Sequence, residues 1–149
     1  MYHLTPQYKE CHDVFKRNHG RKHYPSYIKD VEGFLANYTV FIDVYNSQML
    51  IREVSGNRLI KSRIADKANN QGKSGGYRIL LLCVPNKNDT GEIIQPIDGC
   101  VYLLVIYPKK GSLGQSDIPD HKITDAVSKA MDDIEAGDCI PLTKAFKDH

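Results

Sequence analysis

The chain has 149 residues, a length typical of one domain, and its 41% hydrophobic content is enough for one modest core. It contains no apolar run of membrane-spanning length, and its start, Met1 to Pro6, has neither the charged nor the apolar region of a secretory signal. The formal net charge of +2 is too small to indicate a nucleic acid partner by itself. We therefore expect one soluble, cytoplasmic domain over residues 1–149, without a membrane partner.

Charge is unevenly distributed along the sequence. A region in the middle holds six cationic side chains against the single acid Asp66. These cations are Arg58, Lys61, Arg63, Lys67, Lys73 and Arg78. Residues 117–138, by contrast, hold seven acids and two lysines. The molecule has a basic middle and an acidic end, and this distribution says more about a nucleic acid partner than the net charge does.

The four cysteines, Cys11, Cys83, Cys100 and Cys139, are scattered along the chain. They form no C-x-x-C pair, and no histidine stands at a zinc-ligand spacing from them. We therefore expect structural thiols, with no metal and no cofactor. Cys83 and Cys100 lie in apolar runs and are predicted to be in the core.

Two helices are predicted at the start of the chain. Thr5 followed by Pro6 is typical of a helix N-cap with proline at the first helical position, and apolar residues at helical spacing extend this first helix to about Arg17. A polar, basic link follows at residues 18–23. From Pro25 onward, apolar residues again mark one helical face, which predicts a second amphipathic helix paired with the first.

The stretch 39–57 is predicted to be an insertion of uncertain form. Val40, Ile42 and Val44 alternate as in a strand, whereas residues 46–52 are compatible with a helix. Both alternatives remain open at this point.

Three later segments are predicted to be strands. In residues 59–64, Ile60 and Ile64 fall on one side and Lys61 and Arg63 on the other, so two cations point the same way. The segments 77–84 and 100–107 are too apolar to face water on either side, which indicates central strands. The Asn-, Asp-, Gly- and Pro-containing stretch 85–99 predicts a hairpin connection with a long, mobile tip.

The clearest helix lies near the end of the chain. Apolar residues follow the i, i+3, i+4, i+7 pattern from Ile123 to Ile134, and Gly137 and then Pro141 close it. No internal repeat is visible. The order of elements predicts an α+β domain with helices against an antiparallel sheet.

The segment 72–78, Gly-Lys-Ser-Gly-Gly-Tyr-Arg, places Lys73 and Arg78 around a glycine turn that enters a buried strand. Glycines let backbone amides approach a phosphate, and the arginine fork matches two phosphate oxygens. The segment is not a P-loop, because Lys67 stands where that motif needs its first glycine and a strand follows instead of a helix. The alternative interpretation is a flexible surface hairpin whose lysines keep it soluble.

Three segments together resemble the RelE/HigB family of toxin ribonucleases: the basic strand 59–65, the glycine turn 72–79 and the strand 101–110, which ends Tyr-Pro-Lys-Lys. The resemblance is weaker at residues 4–8, and the sequence departs from compact members at 39–57 and between Ile64 and Lys73. It implies a RelE-like α+β fold, with two N-terminal helices packed on a small antiparallel sheet and a C-terminal helix. It also implies an endoribonuclease that cuts messenger RNA in the ribosomal A site, with the messenger's own 2′-hydroxyl as nucleophile.

Carried over to this sequence, the resemblance implies a catalytic set of five cations: Lys61, Arg63, Lys73, Arg78 and Lys109. Arg78 would clamp the phosphate, and Lys61 would act as base, provided that neighbouring cations favour its neutral form. Lys109 or Lys110 would stabilise the transition state or protonate the leaving oxygen.

The implied RNA-binding set comprises Tyr107, Lys110, Arg58 and Lys67. Tyr107 would stack on a base or orient a cation, although a buried tyrosine at the end of a core strand is equally compatible with its position. Lys110, together with Lys109, is also compatible with a solvated turn.

Two other functions fit the same family resemblance. Relatives of the ParE type inhibit DNA gyrase without cutting RNA, and a degenerate toxin would bind ribosomal RNA without cleavage. Either toxin would be neutralised by a cognate antitoxin that lays a helix or strand across the basic surface or displaces the last helix. Ribosome and messenger RNA are the other expected partners, and promoter DNA would be bound only through the antitoxin complex.

Overall fold

The computed structural model describes residues 1–47, 50–65, 76–92, 98–108 and 118–142. Within these ranges the chain forms three helices: α1 (Pro6–Ala36), α2 (Phe41–Tyr45) and α3 (Asp120–Ala136). It also forms six strands: β1 (Tyr2–Leu4), β2 (Leu50–Val54), β3 (Asn57–Ile64), β4 (Tyr77–Pro85), β5 (Gly99–Pro108) and β6 (Ile140–Pro141). The α+β class predicted from the sequence is confirmed.

All six strands join one sheet in the order β2-β3-β4-β5-β1-β6. Neighbours are antiparallel except β1 and β5, which run parallel with Tyr2 opposite Val101 and Leu4 opposite Leu103. The expectation of a small, purely antiparallel sheet is therefore wrong. The parallel strand has only three residues, too few to produce an alternating pattern that sequence analysis could detect.

Helices cover both faces of the sheet. On one face, α1 and α2 pack on a core cluster that includes Ile60, Ile79 and Leu81. On the other, Ile123, Val127 and Ala130 of α3 pack on leucines of the three central strands. These leucines are Leu59, Leu80, Leu82 and Leu104. The predicted burial of the two apolar strands on both sides is confirmed.

The backbone from Pro6 to Ala36 is helical without interruption. The predictions of a first helix that ends near Arg17 and of a non-helical link at 18–23 are therefore wrong, and the helical segment does not begin anew at Pro25. Polarity removes the apolar stripe by which an amphipathic helix is recognised, but it does not by itself end a helix.

Helix α1 is nevertheless not straight. The ring centroids of His12 and Tyr27 lie 5.5 Å apart, whereas the fifteen positions from one residue to the other would span about 22 Å in a straight helix. Tyr8 and Tyr27 are both buried in the same core cluster. The two halves of α1 therefore lie against each other, as the predicted pairing required. The change of direction therefore lies between His12 and Tyr27.

Thr5 joins the start of α1 to the centre of the sheet. Its side-chain oxygen accepts a hydrogen bond from the backbone N–H of Tyr8 at 3.2 Å and donates one to the carbonyl of Leu103 at 2.8 Å. The residue is only 1% exposed, so water cannot replace these partners. The predicted N-cap is confirmed.

We expect Thr5→Val, which keeps the shape of the side chain, to lower the free energy of unfolding by about 2 kcal/mol, because it removes a cap and leaves buried polar groups without a partner. Thr5→Ser is the matched control, because it keeps the hydroxyl. Urea denaturation of both variants checks this expectation. Equal stability of the valine and serine variants would show that the hydroxyl contributes nothing.

The stretch 39–57 contains both helix and strand, in the reverse of the order that its pattern suggested. Phe41, Val44 and Tyr45 are buried at helical spacing in α2, whereas β2 forms an edge strand at Leu50–Val54. These buried residues follow the spacing i, i+3, i+4 of one helical face. The alternation of a strand would have buried Val40 together with Val44, but Val40 is 49% exposed.

The predicted pairing of the two apolar strands and the predicted end of the last helix are confirmed, whereas residues 93–97 of the predicted hairpin tip lie outside the described residues. β4 and β5 pair as an antiparallel hairpin from Tyr77 opposite Pro108 to Pro85 opposite Gly99. α3 ends at Gly137 in the left-handed conformation (φ 75°), the backbone geometry that glycine adopts at least cost. Within the described part of the chain, no helix is both long and apolar enough to cross a membrane.

Candidate nucleic-acid interface

The predicted basic residues of β3 and β4 meet in one row across the sheet. Arg63 of β3 is directly opposite Arg78 of β4, and Arg78 is directly opposite Tyr107 of β5. Directly opposite residues have Cβ atoms about 5 Å apart on the same face. We call Arg63, Arg78 and Tyr107 the arginine row.

A second row lies next to it. Lys61 is opposite Leu80, and Leu80 is opposite Val105. Since Leu80 and Val105 belong to the cluster under α3, both rows lie on the α3 face of the sheet. Two residues along a strand separate the rows by about 7 Å. These six residues include three cations and no carboxylate, so the face carries concentrated positive charge beside the α3 cluster.

The side chains of the two rows differ in exposure. Arg63 is exposed and Lys61 is half-buried, whereas Arg78 and Tyr107 are only 4% and 3% exposed. A phosphate arriving from solvent therefore meets Arg63 and Lys61 first. Arg78 lies behind them, where its charge acts through a medium of lower dielectric constant and is felt more strongly than in water.

The position of Tyr107 depends on an irregularity in β5. Leu80 is opposite Val105 but Leu81 is opposite Leu103, so Leu104 is an extra residue in the ladder. A bulge of this kind shifts the alternation of every following side chain. It places Tyr107 beside Arg78, and the burial of its ring favours the role of a support for the guanidinium over that of an exposed stacking platform.

Arg58 lies apart from the two rows. It is opposite Cys83, whose side chain belongs to the α1 face, and it lies an odd number of positions (three and five) before Lys61 and Arg63. Its guanidinium contacts Glu53 at 3.3 Å, donates to the carbonyl of Tyr45 at 3.0 Å and lies 4.6 Å from the centroid of the Tyr45 ring. These contacts attach α2 to the β2–β3 hairpin.

We therefore expect Arg58→Ala to act on stability, with a loss of about 1 kcal/mol in the free energy of unfolding from the hydrogen bond and the cation–π contact together. Thermal unfolding followed by circular dichroism measures this change. If the folded variant instead keeps its stability and loses RNA affinity, Arg58 serves the RNA as the sequence predicts.

Four predicted site residues lie outside the described residues: Lys67, Lys73, Lys109 and Lys110. Of the glycine turn, only Gly76 to Arg78 is described. The structure therefore brings together Lys61, Arg63, Arg78 and Tyr107 and separates Arg58 from them.

Three of the cysteine thiols are poor candidates for a catalytic nucleophile. Burial raises the pKa of Cys83 to about 12 and that of Cys139 to about 11, and it also raises the pKa of Cys11. These three thiols are protonated at neutral pH, so they are weak nucleophiles. Cys83 is fully buried as predicted, whereas Cys100 is only half-buried. Among the described side chains, no group of three or more His, Cys, Asp or Glu residues could hold a metal ion.

Residues of α1 that the sequence analysis left without a role lie beside Arg63. Lys29, Asp30 and Asn37 line a cavity together with Arg63. Gly33 lies in the same part of the helix, but the space beside it is open, so it gave no sequence signal of a contact with another element.

Comparison with known proteins adds no family assignment, because the chain matches no family model, no curated protein and no solved structure. The two rows and their surroundings are therefore the basis of the functional proposal. They offer an exposed arginine, a half-buried lysine and a buried arginine within one patch of the sheet, a combination suited to a phosphodiester anion.

Proposed function

We propose that the chain is an endoribonuclease toxin, similar to the RelE/HigB family, that cuts messenger RNA on the ribosome and is neutralised by an antitoxin. One observation carries the proposal: Lys61, Arg63 and Arg78, which are separated in sequence, lie on adjacent strands of one sheet face. Arg63 is exposed and lies directly opposite the buried Arg78, so a phosphodiester that binds Arg63 from solvent comes close to a second guanidinium. Two guanidinium groups at this spacing suit the oxygens of a phosphodiester.

The reaction supported by such a face is attack of the messenger's 2′-oxygen on the adjacent phosphorus. The 2′-oxygen loses its proton to a base and forms a bond to phosphorus, and the bond from phosphorus to the 5′-oxygen breaks. The leaving 5′-oxygen takes up a proton. The products are a 2′,3′-cyclic phosphate and a 5′-hydroxyl, and the reaction needs neither water nor an external oxidant.

Each cation of the face has a place in this scheme. Arg63, being exposed, binds the phosphate from solvent and orients the strand. Arg78 stabilises the negative charge that grows on the phosphoryl oxygens, once the groups that cover it have moved aside. Lys61 is the candidate base, and Lys73, Lys109 and Lys110 remain candidates for protonation of the leaving oxygen.

The proposed antitoxin would act on this same region. Only three side chains of α3 are buried, namely Ile123, Val127 and Ala130. An antitoxin helix with a similar apolar stripe could displace α3, and an acidic segment could cover the exposed Arg63.

The proposal is tested by controlled expression in a bacterial host, with growth followed and messenger 5′ ends mapped. We expect wild type to stop growth and to produce new 5′-hydroxyl ends inside translated codons. Arg63→Ala should reduce the number of new 5′-hydroxyl ends by at least about tenfold and weaken the growth arrest, because one phosphate contact is lost. Arg63 is exposed, so its replacement has little effect on stability. Arg17→Ala, at another exposed position, is the matched control.

Two outcomes would contradict the proposal. Growth arrest without new messenger ends would indicate a non-enzymatic inhibitor of the ParE type. Absence of arrest, combined with salt-sensitive binding of RNA by the purified protein, would indicate an inactive RNA-binding relative.

A further inference from the structure

A cavity of about 380 Å³ lies between the second half of α1 and the end of β3. Its volume falls in the range of small-molecule sites in proteins. Its lining includes Lys29, Asp30, Gly33, Phe34, Asn37 and Arg63.

The cavity exists because α1 turns only one of its faces to the sheet. Tyr27, Val31 and Leu35 are buried against the core cluster. The neighbouring flank of the helix, which includes Gly33 and Asn37, faces the cavity instead. A Cβ atom placed on Gly33 would meet no atom within 4 Å, so the space beside this glycine is open.

The walls of the cavity combine flat apolar surface with hydrogen-bonding groups. The rings of Phe34 and Tyr38 lie 5.2 Å apart, and Tyr38 is 37% exposed. The side-chain amide of Asn37 offers both a donor and an acceptor. An aromatic ring that can stack and an amide that can pair with ring-edge groups are the features by which proteins hold unstacked bases.

Arg63 belongs both to this cavity and to the arginine row. The side chain of Arg63 starts on the α3 face, whereas the cavity lies on the α1 face. Arg63 is the second-last residue of β3, which ends at Ile64. A nucleotide that passes the end of this strand has its phosphate at Arg63 and its base in the cavity. A binding site for an isolated apolar side chain would not need this connection to the cationic face.

We propose that the cavity binds one unpaired nucleobase of the RNA strand whose phosphate is held by Arg63. This inference rests on the proposed ribonuclease function, in that the RNA strand is the same. The base stacks on the Phe34–Tyr38 pair, and Asn37 hydrogen-bonds its edge. The cavity therefore determines how the strand is positioned relative to Lys61 and Arg78.

Filling the cavity tests the proposal. Gly33→Leu places a branched side chain in the open space and improves helix propensity, so the variant should remain folded. Gly33→Ala adds only a Cβ and is the matched control. The ligands are the four nucleoside 5′-monophosphates, with ribose 5-phosphate and inorganic phosphate for comparison, and the dissociation constants are measured by titration followed by NMR.

We expect wild type and Gly33→Ala to bind at least one nucleoside monophosphate about tenfold more tightly than ribose 5-phosphate, because stacking of the base contributes to binding. Gly33→Leu should lose this advantage and keep its affinity for inorganic phosphate. Equal affinity for nucleotides and ribose 5-phosphate, or an advantage that survives Gly33→Leu, overturns the proposal. The first of these results is also the one expected if the cavity accepts a side chain of a protein partner.

The cavity proposal and the ribonuclease proposal can fail separately. If wild type cleaves RNA but binds nucleoside monophosphates no more tightly than ribose 5-phosphate, the ribonuclease proposal stands and the base-site proposal is wrong. If wild type cleaves no RNA but binds a nucleoside monophosphate more tightly, and Gly33→Leu abolishes this difference, the base-site proposal stands and the ribonuclease proposal is wrong.

Discussion

Replacement of Arg78 by alanine should lower the rate of RNA cleavage by at least about 100-fold, the scale seen when one preorganised donor to a developing oxyanion is removed. The reason is its position: Arg78 is the central member of the arginine row and is 4% exposed. Its charge acts in surroundings where water screens it weakly. The cleavage rate of a labelled messenger on purified ribosomes measures the effect.

Because Arg78 is buried, its loss could also lower the stability of the fold, and a second variant separates the two effects. Arg78→Lys keeps the charge but not the guanidinium fork, so it should cleave more slowly than wild type at nearly unchanged salt dependence of RNA binding. Thermal unfolding of both variants identifies any loss of folded protein. Wild-type cleavage by a well-folded Arg78→Ala would remove Arg78 from the reaction.

The largest effect on stability should come from Gly99→Ala. Gly99 begins β5, and a Cβ atom there would overlap the carbonyl oxygen of Val84 and would lie 2.8 Å from both the Phe41 ring and the Cα of Pro85. Two of these three atoms are backbone, so neither a rotamer change nor a small shift of one side chain relieves the overlap. We expect a loss of about 3 kcal/mol or more in the free energy of unfolding.

Gly33→Ala is the matched control for this substitution, since it adds the same atom where nothing lies within 4 Å. It should stabilise the protein by about 0.5 to 1 kcal/mol, the difference between alanine and glycine inside a helix. Urea denaturation compares both variants with wild type. If Gly99→Ala unfolds at the same urea concentration as Gly33→Ala, α2 does not pack against the β4–β5 hairpin as the structure has it.

The elements that could be predicted from the sequence are those whose burial pattern is local. β4 is buried on both faces and reads as a continuous apolar run, and α3 carries an apolar stripe that ends in a left-handed glycine. Such patterns depend only on neighbouring residues, so one sequence is enough to detect them.

The elements that could not be predicted depend on contacts between distant parts of the chain. β1 has three residues and is a strand because it pairs with β5, about a hundred positions away. No local pattern encodes a three-residue strand that pairs in parallel with a distant one.

The candidate site was partly within reach of sequence reasoning. Strand alternation places Lys61 and Arg63 on one face, and the same alternation, extended by one residue, places Arg58 on the other. The position of Tyr107 was out of reach, because it depends on the bulge at Leu104. Burial of Arg78 was also out of reach, since a cation that follows a glycine turn is more often exposed.

The most direct test of the central claim is cleavage of a synthetic messenger on purified ribosomes, with and without a single 2′-deoxy substitution at the mapped cut. The account predicts a 2′,3′-cyclic phosphate and a 5′-hydroxyl at the cut in the all-ribose messenger, and no cut at the deoxy position, because the attacking 2′-oxygen is missing there. Cleavage that persists at the deoxy position, or that leaves a 5′-phosphate, would contradict it.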